Sequence, residues 1–246
     1  MANCTIIVPC FNEVKRLSIS KFCKFSKKKN ISFIFVNDGS TDDTSKIIDQ
    51  ILINNQNNQK IDLKHNQGKA EAIRQGFLES IKHNKTDLYG FWDADLSTPL
   101  DEIESFIKLL EDDNTIFVFG CRKKTKGSNI QRSLIRHFIG RIIAFIMSTF
   151  LQISIYDTQC GAKILKKEYV NTIFKKKFHT KWLFDIEIFL RLIKIKKNKK
   201  MHEKVLSEWI DVPGSKLSYF NTFEIINEII KIFFYYKIKK FHNGSN

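Results

Sequence analysis

The first half of the chain alternates short apolar runs with segments whose apolar residues recur at helical spacing. The runs are only a few residues long, and most end at proline, glycine, asparagine or aspartate, which is typical of buried strands. Regular alternation of strand and helix indicates an open, mostly parallel sheet flanked by helices, with ligands at the carboxyl ends of the strands. The predicted strands are Thr5–Val8, Ile31–Val36, Ile61–Leu63, Leu88–Trp92 and Ile116–Phe119.

Helix-start residues precede three of the apolar stripes. Thr41 can cap a helix, Gly68 precedes a second, and Thr98 with Pro99 precedes a third. Residues at i, i+3 and i+4 share one face of a helix, so each stripe can cover the sheet. The stripes are Ile47, Ile48, Ile51 and Leu52; Ala70, Ile73, Phe77 and Ile81; and Ile103, Phe106, Ile107 and Leu110.

Composition narrows the class of protein. A chain of 246 residues with 43% hydrophobic content can bury a full core, and a net charge of +15 indicates an anionic partner. Nucleic acid is disfavoured, because no face with interleaved basic and aromatic residues and no reading motif is evident. The five cysteines lack the spacing of a zinc site, which predicts reduced thiols. The sequence also has no signal-peptide pattern and no apolar run long enough to span a membrane, which predicts a cytoplasmic protein.

Two carboxylates, Asp93 and Asp95, follow the predicted strand Leu88–Trp92 directly. Side chains at i and i+2 of an extended segment point to the same face, so both can address one ion. A hard divalent cation takes oxygen ligands and often bridges to phosphates. The pair therefore predicts a site for Mg²⁺ or Mn²⁺ that handles phosphate. Lys69, next to a glycine at a predicted helix start, is a second candidate for phosphate contact.

Two sets of motifs occur along the chain in a fixed order. The first set is Val8–Glu13, Val36–Asp42, Asn66–Ala70, Asp93–Asp95 and Gly120–Arg122; the second is Asp157–Lys163, Trp182–Glu187 and Gly214–Ser218. The first set resembles, in order and spacing, the motifs of the inverting family-2 glycosyltransferases of GT-A fold. The second set is similar to the branch of dolichyl-phosphate β-glucosyltransferases, and the resemblance runs from Thr5 to Ser218.

The resemblance implies a nucleotide-sugar site at the first strand ends. Asp38 would accept hydrogen bonds from the nucleotide base, although its Asn-Asp-Gly-Ser context also forms a good turn by itself. One or both of Asp93 and Asp95 would hold the cation on the diphosphate, which neutralises the leaving group. The residues implied for nucleotide-sugar binding are Pro9, Asn12, Glu13, Asp38, Lys69, Asp93 and Ala94.

Basic residues in the second half are candidates for gripping an acceptor phosphate, because guanidinium groups match phosphate oxygens. Arg122 ends a predicted strand, and Arg132 and Arg136 follow at helical spacing on the segment 131–148. Lys216 is a further candidate in the Gly-Ser-Lys loop. A solvated basic face remains the alternative for the arginines.

Asp157 divides two mechanisms. A hydroxyl acceptor needs a carboxylate base to remove its proton. A phosphomonoester, with a second pKa near about 6, is already largely ionised at neutral pH and can attack without a base. With a lipid phosphate as acceptor, Asp157 would position the sugar or the arginines. Asp157, Asp95 and Arg122 are the predicted catalytic residues.

Two apolar stripes are suited to a membrane interface or to core packing. One comprises Leu134, Phe138, Ile142, Phe145 and Ile146; the other comprises Ile226, Ile229, Ile230 and Phe233, followed by tyrosines and lysines. We expect a GT-A catalytic domain over residues 1–218 and an amphipathic basic tail over residues 219–246.

The resemblance implies inverting transfer of glucose or another hexose from a UDP-sugar to dolichyl or polyprenyl phosphate, with Mg²⁺ or Mn²⁺, at the cytoplasmic face of a membrane. One alternative is transfer to a glycan or lipid hydroxyl with Asp157 as the base. A second is a non-catalytic, basic, peripheral membrane protein built on a degenerate GT-A domain.

Overall fold

The structure, a computed structural model, describes residues 2–28, 30–53, 55, 57–83, 86–151, 153–195, 200–213 and 222–242. Its strands are β1 (Cys4–Cys10), β2 (Ile31–Asn37), β3 (Gln59–Asp62), β4 (Leu88–Trp92), β5 (Thr115–Cys121), β6 (Asn129–Gln131), β7 (Ala162–Lys166), β8 (Lys200–Val205) and β9 (Glu208–Ile210). Its helices are α1 (Ile19–Phe25), α2 (Thr44–Ile53), α3 (Lys69–His83), α4 (Glu102–Leu110), α5 (Leu134–Leu151), α6 (Lys167–Phe174), α7 (Phe184–Ile195) and α8 (Thr222–His242).

Seven strands form one sheet in the order β3-β2-β1-β4-β7-β5-β8. β1 pairs in parallel with β2 and β4, β2 with β3, and β5 with β8, whereas β7 runs antiparallel between β4 and β5. All five predicted strands are present, so the predicted mostly parallel α/β fold is confirmed. β7 and β8 were not predicted, because Lys163 and Lys166 interrupt the apolar pattern of β7, and charged residues interrupt that of β8.

The alternation of side chains along the strands divides the core into two layers. Ile6 and Val8 of β1 face the layer that holds Phe22 of α1, together with buried residues of α2 and α4. Ile7, between them, faces the opposite layer, where Phe77 of α3 packs with residues of α6 and α7. Both faces of the sheet are therefore covered, which leaves the carboxyl ends of the parallel strands as the open edge.

Two helices begin later than the sequence predicts. α2 begins at Thr44, because the backbone N–H and hydroxyl of Thr41 both donate to Asn12 Oδ1 in the adjoining loop. α4 begins at Glu102, and the carbonyl of Thr98 instead accepts a hydrogen bond from the Trp92 indole. In both cases a hydrogen bond from another part of the chain holds a residue that was predicted to start the helix.

The segment predicted as a helix over residues 131–148 also begins later. Gln131 is the last residue of β6, which pairs in parallel with β9, and its carbonyl accepts from Asp211 N–H. α5 begins only at Leu134. Arg132 therefore lies before the helix. The prediction from its spacing, which placed Arg132 on a face of the helix, was wrong.

α5 and α8 each divide between core and surface. Ala144 and Met147 of α5 and Ile232 and Tyr236 of α8 are buried, so both helices pack on the protein. Ile146, Ile229 and Phe233 of the predicted stripes are partly buried against the same core. Among the side chains that the structure describes, the exposed large apolar residues are Leu134, Phe138, Ile142 and Phe145 on α5 and Ile226, Ile230 and Phe234 on α8. The division of the chain at residue 218 stays a prediction.

Within the described part of the chain, every helix is too short or too polar to cross a bilayer. α5 is the most apolar long helix, with 18 residues, but it carries Arg141 and is partly covered by the core. The exposed apolar residues of α5 and α8 are thus surface features of helices that pack on the protein.

Candidate active site

A cleft of about 850 Å³ opens at the carboxyl ends of β1, β2 and β4. The loop before α3, the loop before α7 and one face of α8 complete its walls. Seven of the residues predicted for the nucleotide-sugar and metal sites line this one cleft: Pro9, Glu13, Asp38, Lys69, Asp93, Ala94 and Asp95. The fold therefore brings together side chains from four separate motifs.

Asp38 joins the end of β2 to the loop before α3. Its Oδ1 accepts from Gln67 N–H at 2.7 Å and its Oδ2 from Gly68 N–H at 2.8 Å, and the side chain is buried. The next residue, Gly39, has φ of +65°, and a Cβ there would lie 2.5 Å from the His65 carbonyl carbon. Only glycine fits this close approach. Asp38 thus fixes the loop that carries Lys69.

Asn12 and Glu13 tie β1 to the turn after β2. Asn12 adopts φ of 51°, its side-chain oxygen accepts from Thr41 N–H at 2.9 Å, and its own N–H donates to Ser40 Oγ. Asn12 does not line the cleft. Its side chain contacts the turn after β2 instead. Glu13 is buried and pairs with Arg16 at 2.5 Å, and it does line the cleft.

Asp93 and Asp95 each face a cation of the protein itself. Lys69 Nζ lies 2.5 Å from Asp93 Oδ1, and Arg16 Nη1 lies 3.7 Å from Asp95 Oδ2. Burial and the neighbouring charge of Asp93 raise the pKa of Asp95, although Ser97 N–H donates to it at 3.0 Å. Burial opposes the charge on Lys69, but the carboxylates around it outweigh burial and raise its pKa.

The carboxylate pair fits Mg²⁺ or Mn²⁺ by the chemistry of its donor atoms, which are hard oxygens aimed into one cleft. Across the described ranges no three His, Cys, Asp or Glu side chains gather at one point as a metal cluster. Asp93 and Asp95 would therefore be the two side chains that hold the cation. A bound diphosphate is the natural source of further oxygens.

Gly161, in the segment 157–163, lies too close to Asp93 for any larger residue to take its place. Asp93 N–H donates to the Gly161 carbonyl at 3.1 Å. A Cβ on Gly161 would lie 1.9 Å from Asp93 Oδ2, so any larger residue would displace that carboxylate. The start of β7 therefore supports the first of the two acids.

A buried ion pair lies next to this centre, and sequence reasoning missed Lys163 as one of its two members. Lys163 of β7 is fully buried, its Nζ lies 2.6 Å from Asp185 Oδ1, and it donates to the Cys160 carbonyl. Burial raises the pKa of Asp185, against the opposing charges of Lys163 and Lys69. The only sequence signal for Lys163 was its place at the end of a motif.

Arg122 and Asp157 form a buried bidentate ion pair. Arg122 donates to the carboxylate from Nε at 2.6 Å, from Nη2 at 2.8 Å and from its backbone N–H at 3.2 Å. Gln159 N–H donates to Asp157 Oδ1 at 3.0 Å. Burial would raise the pKa of Asp157, but the Arg122 charge and hydrogen bonds hold it well below its usual range. Neither residue lines the cleft.

The remaining acceptor-site predictions are only partly described. The guanidinium of Arg132 lies over Gly140 of α5, and its charge also lowers the pKa of Asp157. The side chain of Arg136 and all of Lys216 lie outside the described residues. Arg141, which sequence reasoning did not select, stacks on the Tyr156 ring at 3.8 Å.

Several further lining residues were also missed, and His179, Lys181 and Lys231 are three of them. Two of them belong to the loop before α7 and one belongs to α8. They have no motif of their own, and only the packing of α8 against the loop brings them to the cleft. A pattern search along the chain had no signal with which to find them.

The sheet order, with paired carboxylates at the end of β4, defines an enzyme of the GT-A glycosyltransferase class. The model of the glycosyl transferase family 2 matches residues 5–174, so this chain belongs to that family. It is a glycosyltransferase similar to the dolichyl-phosphate β-glucosyltransferases.

Two relatives illustrate the similarity. The dolichyl-phosphate β-glucosyltransferase of Dictyostelium discoideum is 30% identical over 94% of this chain and 74% of its own length. An uncharacterised protein of Methanocaldococcus jannaschii is 31% identical over 93% of this chain and 98% of its own.

One solved structure shares the fold. Glucosyl-3-phosphoglycerate synthase from Mycobacterium tuberculosis, in complex with Mn²⁺ and UDP-glucose, superposes with a TM-score of 0.70. The match covers 96% of this chain and 79% of that one at 14% identity. At this identity the likeness concerns the fold alone.

Proposed function

We propose that the protein transfers glucose from UDP-glucose to the phosphate of dolichyl or another polyprenyl phosphate, with inversion at the anomeric carbon. The names of several relatives, among them those of Dictyostelium discoideum and Saccharomyces cerevisiae, support this acceptor. The UDP-glucose and Mn²⁺ in the M. tuberculosis synthase support the donor and the cation.

The observation that carries the proposal is that the Asp157 carboxylate is fully engaged by hydrogen bonds. Its carboxylate accepts four hydrogen bonds, and the pKa lowered by Arg122 makes it a poor proton acceptor. A hydroxyl acceptor needs a base, whereas a lipid phosphate is largely ionised at neutral pH. The geometry therefore favours a phosphate nucleophile, with Asp157 as a positioning residue that orients Arg122.

On the donor side, Asp93 and Asp95 would hold the divalent cation, which when bound supplies charge neutralisation for the leaving diphosphate. Lys69 sits on Asp93 and at the N-terminus of α3, where free backbone N–H groups favour phosphate oxygens. We infer that Lys69 contacts the diphosphate, while Pro9, Glu13 and Ala94 line the nucleotide sugar.

On the acceptor side, we assign phosphate binding to the arginines near Asp157. Arg122 is oriented by Asp157 and lies against the Trp209 ring at 5.3 Å. Arg132 contributes charge to the same region, and Arg136 and Lys216 complete the proposed set. These cations would attract a phosphate monoester and hold it for attack.

A panel of donors and acceptors tests the proposal. Labelled UDP-glucose, UDP-galactose, UDP-N-acetylglucosamine and GDP-mannose are each offered with Mn²⁺ and polyprenyl phosphate or unphosphorylated polyprenol. We expect an acid-labile labelled lipid only with UDP-glucose and the phosphate. Product on polyprenol would instead establish a hydroxyl acceptor, and no product on either lipid would contradict the acceptor class.

We also propose that the exposed apolar residues of α5 and α8 rest on the cytoplasmic face of a membrane, where the acceptor is held. Phe138 is 66% exposed and Phe145 is 72% exposed. Apolar side chains on a basic protein suit an anionic lipid surface. The protein would then bind as a peripheral membrane protein.

Co-sedimentation with phosphatidylcholine vesicles that contain phosphatidylserine checks this contact. The double variant Phe138→Ser and Phe145→Ser is expected to bind at least about tenfold more weakly, since two phenyl rings lose their apolar contact. Ile53→Ser, at an exposed position on α2, is the control and should bind like the unaltered protein. Equal binding of the double variant would contradict the proposal.

A further inference from the structure

We propose that Glu228 of α8 is a positioning residue that fixes one wall of the active-site cleft. This wall, which we name the 179–183 loop, lies directly before α7 and contributes Lys181 and Trp182 to the cleft lining. α8 would then be a working part of the site as well as a surface helix. Both segments lie beyond residues 5–174, the range that the family model matches.

Glu228 accepts hydrogen bonds from three successive backbone N–H groups of this loop. Its Oε1 accepts from Lys181 N–H at 2.7 Å, and its Oε2 accepts from Trp182 N–H at 3.0 Å and Leu183 N–H at 2.9 Å. The side chain is 7% exposed. A buried carboxylate satisfied by N–H groups is costly to disturb, because the carboxylate and the donors would lose their partners together.

A second carboxylate continues the same pattern. Glu187 Oε1 accepts from His179 N–H, Thr180 N–H and Thr180 Oγ1, each at 2.8 Å. Glu187 Oε2 in turn accepts from the Tyr236 hydroxyl at 3.0 Å. Five consecutive N–H groups of the loop are thus held by two carboxylates. α8 supplies one of these carboxylates and one of the contacts that anchor the other, which also pairs with Arg191 at 3.4 Å.

The arrangement links α8 to donor binding. The loop has no strand partner, and these N–H groups precede a helix whose first-turn donors lack intrahelical acceptors. Without Glu228 the loop would lose its fixed conformation, and Lys181 and Trp182 would leave the wall shared with Asp38 and Lys69. This step, unlike the hydrogen bonding itself, rests on the proposed use of a UDP-sugar.

Hydrogen exchange on the full chain tests the hydrogen bonding without any assay of activity. In Glu228→Gln one acceptor becomes an NH₂ group, so the amides of residues 181–183 are expected to exchange at least about tenfold faster. The amides of β1 and β4 should be unchanged. Tyr236→Phe should instead speed exchange at residues 179 and 180, and Glu111→Gln, at an exposed position after α4, should change neither.

Calorimetry with UDP and Mn²⁺ tests the positioning role. We expect Glu228→Gln to weaken UDP binding about tenfold and Glu111→Gln to leave it unchanged. Unchanged exchange at residues 181–183 would overturn the inference, and so would faster exchange with unaltered UDP binding. If Glu228→Gln does not fold, Glu228→Asp, whose shorter side chain draws the carboxylate away from these N–H groups, decides by the same two measurements. Failure of the unaltered protein to bind UDP would overturn the proposed function but leave the exchange result standing.

Discussion

Replacing Asp93 or Asp95 with asparagine is expected to lower metal-dependent sugar transfer by about 10³-fold, or about 4 kcal/mol of transition-state stabilisation. Asparagine keeps the size of the side chain but removes the charge that would hold the cation on the leaving diphosphate. The loss should appear in kcat at saturating donor and Mn²⁺. Binding of Mn²⁺ in the presence of UDP, followed by electron paramagnetic resonance, should fall with it.

Asp101→Asn is the matched control. Asp101 precedes α4, is exposed, and makes no capping hydrogen bond with its side chain. The same chemical change there should leave both rate and Mn²⁺ binding within about twofold of the unaltered protein. Transfer by Asp93→Asn and Asp95→Asn at the unaltered rate would show that these carboxylates are not the metal site.

Asp157→Asn is expected to cost about 3–5 kcal/mol in the free energy of unfolding at neutral pH. The substitution leaves the charge of Arg122 buried without its partner. Urea denaturation at pH 7 measures the effect. Asp43→Asn is the control, because it breaks an exposed ion pair with Lys46 and should leave the urea midpoint nearly unchanged.

The pH dependence of this cost has a definite sign. The pKa of Asp157 is lower in the folded state than the value of about 3.9 in an unfolded chain. The ion pair therefore stabilises the fold above that value, and the stabilisation is lost as the pH falls through the folded-state pKa. The difference between Asp157→Asn and the unaltered protein should shrink below about pH 4. A constant difference from pH 7 to pH 3 would contradict the lowered pKa.

The same variant separates the two mechanisms. With a phosphate acceptor, Asp157→Asn should retain measurable transfer at low temperature, where the variant stays folded, because no base is lost. With a hydroxyl acceptor, removal of the base should abolish transfer in the folded variant. Circular dichroism on the same sample establishes that the variant is folded during the assay.

Local patterns were sufficient for five of the seven strands of the sheet and for much of the site. β1 to β5 follow from short apolar runs, and Asp93 and Asp95 follow from their position at the end of one such run. The same patterns misplaced the starts of α2, α4 and α5, where contacts with distant parts of the chain hold the residues before each helix. β7 escaped notice because its buried Lys163 is paired with Asp185, and that pairing is not visible along the chain.

The sequence by itself determined the mostly parallel α/β fold, the strand ends that form the site and the pair of acids at the end of β4. Strand periodicity and residue spacing are local properties, so they can be read along the chain. Only the tertiary structure decided that Arg122 pairs with the Asp157 carboxylate and that Glu228 of α8 accepts hydrogen bonds from the 179–183 loop. Those partners are 35 and 47 residues apart, and their contacts depend on how the elements between them pack.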